Sequence, residues 1–219
     1  MEREPEERTY DYTITYTAPR TKIFWFSPTE LKHLTIGALL VMGVALSYVI
    51  EALDLPMLST PESLIGLAVI FTLSFLLHEI THKLSAQYFG LWAEFRVTLF
   101  GALITLFSIP FPFFKIISPG AVMIAGPITK REAGKTALAG PLTNMIISTI
   151  CITVLANTES IFLHTISFFG AWINAIIALF NLVPFGIMDG LKVFRWNKLA
   201  WTAAFMTAIA MTILTYSML

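Results

Sequence analysis

Residues 63–88 read SLIGLAVIFTLSFLLHEITHKLSAQY, an apolar run that ends in the polar cluster His78-Glu79-Ile80-Thr81-His82. The run opens after Thr60-Pro61-Glu62, a helix-starting signature with an N-cap, a first-turn proline and an early acid, and Gly90 is its stop. Read as a helix, it places His78 and His82 one turn apart on one face, where they can share a metal ion. Glu79 falls beside that face, within reach of a water on the ion rather than of the ion itself. Two neutral imidazoles holding Zn²⁺, with a carboxylate to take a proton from the bound water, is the pattern of a zinc hydrolase. A charged group at membrane depth costs about 2.5–3.5 kcal/mol on insertion scales, so His78, Glu79, His82 and Lys83 together need a use.

Composition says that membrane depth is the right setting. Of 219 residues, 56% are hydrophobic and only 13% charged. The mean hydropathy is +0.75. Such a chain is too apolar for a soluble domain and reads as integral to a membrane, with the lipid bilayer as its surroundings. Lys+Arg and Asp+Glu are equal at 14 each, so charge implies no nucleic-acid partner. Cys151 is the single cysteine, which excludes an intrachain disulfide and leaves helix packing as its role. The N-terminus is acidic and lacks the apolar core of a secretory signal.

Along the chain, residues 1–30 read as an N-terminal cytoplasmic tail. It contains a strand over Thr9–Thr17, where Tyr10, Tyr12, Ile14 and Tyr16 alternate with Thr and Asp. Ile23-Phe24-Trp25-Phe26 reads as an interfacial anchor. The domain that follows, 31–219, carries spans at about 31–50, 63–88, 136–156, 161–182 and 199–219. The fold class is therefore an all-α polytopic membrane protein of about five to six transmembrane helices. Residues 91–135 fit no ordinary span. The alternation over Glu94–Leu99 and the breaks at Gly101, Pro110, Pro112, Pro119 and Gly120 predict short strands and a partly immersed hairpin, with Leu99–Ile109 too short and too broken to cross. His33 and His164 read as interfacial residues.

Basic residues cluster before the first span, between the second and third (Lys83, Arg96, Lys115, Lys130, Arg131, Lys135) and before the last (Lys192, Arg195, Lys198). This places the N-terminus in the cytoplasm, with the ends of the second and fourth spans on that same side. His78 and His82 then share a membrane face with Asp189. A catalytic zinc takes three protein ligands and keeps one position open. Glu94 and Glu132 are explained as solvated partners of Arg96 and of Lys130-Arg131. Asp189, after an apolar segment broken by Pro184 and Gly186, is the acid that needs a reason. One Zn²⁺ per chain with Asp189 and Glu79 ionised sums to no net charge, which limits the penalty in a low-dielectric setting.

Three motifs in order, His78-Glu79-x-x-His82, Ala139-Gly140-Pro141-x-x-Asn144 and Asn181-x-x-Pro184-x-x-x-x-Asp189-Gly190, resemble the site-2 protease family of intramembrane zinc metalloproteases. The resemblance covers about residues 62–192. It implies that His78, His82 and Asp189 bind zinc, that Glu79 is the catalytic base, and that the substrate is a membrane protein, single-pass or polytopic, cut within its transmembrane helix. It also points to Asn144 and Asn181 as residues that bind the substrate backbone or the oxyanion, with helix–helix hydrogen bonding as the equal alternative. The single Gly190 after Asp189 departs from the two glycines of many relatives, and no PDZ-like or CBS-like module is attached. Because a helical peptide bond is hidden from attack, the substrate is expected to unwind and add as a strand to an edge offered by 9–17 or 91–120. The competing classes are an inactive zinc-binding or chaperone-like membrane protein and a metal transporter. Transport wants ligands along a through-path, and an inactive protein has no need of Glu79.

Overall fold

The computed structural model describes residues 22–51, 60–111 and 115–218. The strand expected over Thr9–Thr17 lies outside the described residues. The elements in order are α1 (Pro28–Glu51), α2 (Pro61–Tyr88), β1 (Trp92–Val97), α3 (Leu99–Ser108), β2 (Gly120–Ala125), α4 (Lys130–Asn157), α5 (Ile161–Asn181), α6 (Asp189–Trp196) and α7 (Lys198–Tyr216). Five of these helices, α1, α2, α4, α5 and α7, are long and apolar enough to cross a membrane. With one two-stranded antiparallel sheet beside them, the protein is an all-α polytopic membrane protein.

The helix ends follow from local chemistry. Thr60 accepts a hydrogen bond from the Ser63 N–H at the start of α2, with Pro61 in the first turn where its missing N–H is harmless. Gly90 closes α2 at φ +76, a left-handed conformation that suits glycine. At α4, Thr129 and Glu132 form a reciprocal capping box. The expected pairing of Glu132 with Lys130-Arg131 is thus replaced by a bond to the Thr129 N–H at 2.8 Å.

α4 packs lengthwise against α2 and α5, while α1 covers α2 and α7 covers α5. Small residues make these approaches close: Ala178 of α5 meets Ala204 and Ala208 of α7 around Met145 and Leu182. A second cluster joins Leu34 and Val41 of α1, Phe71 and Phe75 of α2, and Phe95 of β1. The 91–135 region departs from a plain hairpin in one element. The strands appear, pairing Trp92 with Ala125 through Val97 with Gly120, but Leu99–Ser108 between them is a helix. Thr98 caps it through the Gly101 N–H, and ten residues need not span to satisfy their own backbone. α6 is likewise a helix that the sequence reading leaves as loop.

Lys83, counted among the basic residues that mark the cytoplasmic side, and Glu94, read as solvated, are in fact buried. Lys83 is 1% exposed and pairs with fully buried Glu30 of α1, its ammonium lying 3.7 Å above the Phe26 ring. The other Glu30 oxygen accepts from the Phe95 N–H at 2.9 Å. Glu94 is also buried, against Arg96, so this pair is not solvated. His33, expected at the interface, accepts from the Val97 N–H at 2.9 Å. Burial makes each charge depend on its partner. Lys83→Met is expected to lower stability by about 3–5 kcal/mol, and the double variant Glu30→Gln/Lys83→Met to recover much of that loss, as read by unfolding in detergent.

Candidate metal centre

His78 and His82 occupy successive turns of α2, inside the span rather than beyond it. Ten residues separate His78 from Tyr88, so the site lies about 15 Å from that end of the helix at the α-helical rise. The two rings meet edge to face at 82°, with their Nε2 atoms 3.0 Å apart. Asp189, the first residue of α6, brings Oδ2 to 2.9 Å from His82 Nε2 and 3.5 Å from His78 Nε2. Its ligand atoms and those of the two histidines all lie within 4.8 Å of one another.

The other ring nitrogens decide what faces this centre. His82 Nδ1 is 2.7 Å from the Thr136 carbonyl of α4, and a carbonyl only accepts, so the proton is on Nδ1. His78 Nδ1 donates to Asn144 Oδ1 at 2.5 Å. With each neutral ring protonated at Nδ1, both Nε2 lone pairs converge on the same point as the Asp189 carboxylate. Three crowded electron pairs suit a dication with nitrogen and oxygen ligands, and each imidazole has the outer partner that such ligands carry.

α4 supplies the room as well as the acceptors. A Cβ on Gly140 would overlap His82 Nε2 and lie 2.7 Å from His78 Nε2. Pro141, inside α4, has no N–H to offer the Ala137 carbonyl, one residue beyond the Thr136 carbonyl that serves His82. Glu79 projects beside the histidines, partly buried, within electrostatic reach of His78, Asp189 and Lys192. Lys192 Nζ lies 3.6 Å from Asp189 Oδ1, the oxygen turned away from the imidazoles.

Of the residues singled out from the sequence, His78, Glu79, His82 and Asp189 come together. Asn144 joins them, but fully buried and facing His78 rather than an open cleft. Asn181 ends α5 with its amide donating to the Ile177 carbonyl at 2.9 Å. Thr136 escapes sequence reasoning because it acts through its backbone. Gly140 stands in the second motif, but its making room for the two histidines shows only in the packing.

Comparison with known proteins agrees with this geometry. A protein of Methanocaldococcus jannaschii named "Putative zinc metalloprotease" is 36% identical over 182 residues, covering 82% of this chain and 90% of its own. The chain belongs to a zinc metalloprotease family. No family model and no solved structure matches it. Metal binding can be tested at the residue that makes the space. Gly140→Ala should favour the helix by about 1 kcal/mol on propensity alone. It is expected instead to lower bound zinc sharply, as measured by metal analysis of the detergent-purified protein beside wild type.

Proposed function

We propose that this metalloprotease is of the site-2 type and hydrolyses peptide bonds of transmembrane substrates within the membrane. The observation that carries the reading is the convergence of Asp189 with His78 and His82 of the membrane-length helix α2. These three residues would hold Zn²⁺, leaving one position open. When bound, zinc acts as a Lewis acid that polarises the scissile carbonyl and brings the pKa of its water to about 7. Glu79 takes a proton as the water oxygen attacks the carbonyl carbon. The same carboxyl then returns it to the amide nitrogen as the C–N bond breaks, so the amine leaves neutral. Among the described residues this is the one group that can hold a metal ion, which favours hydrolysis at a single site over transport along a path.

The charge pattern supports a cytoplasmic N-terminus and a site opening toward the cytoplasm. Lys83 drops out of that argument because it is buried, but exposed Lys32, Lys130, Arg131, Lys192, Arg195 and Lys198 still mark one side. Glu79→Gln is expected to keep zinc and lose hydrolysis of a transmembrane substrate by about 10²–10⁴-fold. Asp189→Ala is expected to lose both. Full zinc in Asp189→Ala would remove that residue from the site.

The sheet supports capture of an unwound substrate, and it favours one edge. Phe95 and Val97 direct their N–H groups to Glu30 and His33, so the outer side of β1 is closed by α1. By antiparallel alternation, Glu94–Met123 and Arg96–Ala121 are the pairs that exchange hydrogen bonds across the sheet. The backbone groups of Val122 and Ile124 then point away from β1. β2 is therefore the edge to which a substrate strand adds, through main-chain bonds. Ile124→Pro removes one outward N–H without touching the β1 pairing. It is expected to slow cleavage while zinc content stays at the wild-type level. Unchanged cleavage would exclude addition at this edge.

A further inference from the structure

Behind the histidines lies a chain of fully buried polar side chains that the hydrolytic chemistry does not itself require. Ser74 of α2, Asn144 of α4 and Asn174 of α5 are each 0% exposed. Their hydrogen bonds run in one direction, because three backbone carbonyls can only accept. Ser74 Oγ donates to the Ile70 carbonyl at 2.6 Å. Asn174 Nδ2 donates to the Gly170 carbonyl at 2.8 Å and to Ser74 Oγ at 2.7 Å. That orientation turns Asn174 Oδ1 toward α4, where it accepts from Asn144 Nδ2 at 2.7 Å. Asn144 Nδ2 also donates to the Ser74 carbonyl at 3.3 Å. Only Asn144 Oδ1 is then left for the ring, and it must accept the proton of His78 Nδ1.

We propose that Asn174, supported by Ser74, is a positioning residue for the metal centre. It orients the Asn144 amide and so holds His78 as the Nδ1–H tautomer with its Nε2 lone pair facing Asp189 and His82. This inference rests on the reading of His78 as a metal ligand. A reversed Asn144 amide would present N–H groups to His78 Nδ1, driving the ring proton onto Nε2 and blocking coordination. It would also face Nδ2's two present acceptors with an oxygen, in an interior without water to compensate. Asn174 keeps that alternative closed from a distance, through hydrogen bonds to Asn144, Ser74 and the Gly170 carbonyl.

The test is zinc affinity of the full-length protein in detergent, by competition with a chromophoric chelator, beside thermal unfolding. Asn174→Ala is expected to weaken zinc binding by about 10-fold or more, in the range found for outer-shell partners. Asn144→Ala should weaken it at least as much. The double variant should lose no more than Asn144→Ala alone, because the effect of Asn174 passes through Asn144. Co²⁺-loaded Asn174→Ala should show an altered visible spectrum, a change that looser helix packing would not produce. Wild-type zinc affinity in Asn174→Ala with a lowered unfolding temperature would overturn the proposal, as would independent, additive losses in the double variant. If Asn174→Ala does not fold, Ser74→Ala removes only the hydroxyl that anchors Asn174. Weakened zinc binding there supports the relay, and wild-type affinity overturns it. Absence of zinc from wild type would instead defeat the metal reading of His78 itself, and this inference with it.

Discussion

The arrangement depends on where two imidazole protons point. In α2, His78 and His82 are placed by helical periodicity alone, but an imidazole can present either nitrogen with a lone pair. The Thr136 carbonyl and Asn144 Oδ1 take the Nδ1 protons and leave both Nε2 atoms facing Asp189. Both acceptors come from α4, so α4 must lie against the histidine face of α2 at hydrogen-bond distance. Gly140 permits that approach because any side chain there would run into the Nε2 atoms of His78 and His82. The closeness of two helices and the tautomers of two rings are one constraint.

A second constraint is the burial of charge beside this site. Lys83 follows His82 directly, yet its ammonium is held by Glu30 and the Phe26 ring rather than by water. Desolvation offsets much of the attraction in such a pair, so its contribution to net stability is small. What it does supply is registry. Glu30 joins α1 to α2 through Lys83 and to β1 through the Phe95 N–H, so the strand is tied to the helix that carries the histidines. His33 extends the same closure to Val97. The sheet thereby has one side fixed to α1 and the other side free of β1.

Much of this was legible in the sequence because its causes are local. Thr60, Pro61 and Gly90 bound α2 through chemistry within a few residues, and the apolar lengths mark five spans. The alternation around Glu94–Leu99 shows as a strand for the same reason. The misreadings share a different cause. Glu94 looks solvated and Lys83 looks like a cytoplasmic marker when judged by their neighbours in the chain, but both are buried, Lys83 by Glu30 and Phe26 far away in sequence. Leu99–Ser108 is too short to span, a criterion that hides it in the sequence but does not apply to a helix beside a sheet. Asn174 belongs to none of the three motifs, although an asparagine in mid-span is as costly as one inside a motif.

By itself, then, the sequence determined the membrane class, the helical spans and the shared face of His78 and His82, since each follows from covalent order and the 3.6-residue period. It also marked Asp189 as an acid without a local explanation. Only the tertiary structure decided that Asp189 reaches 2.9 Å from His82, that Asn144 serves His78, and that the outer edge of β1 is closed by α1. Those facts are set by which helix lies against which, a matter of non-local packing. A buried polar group takes its role from the partner that packing provides, and that partner need not be near it in the chain.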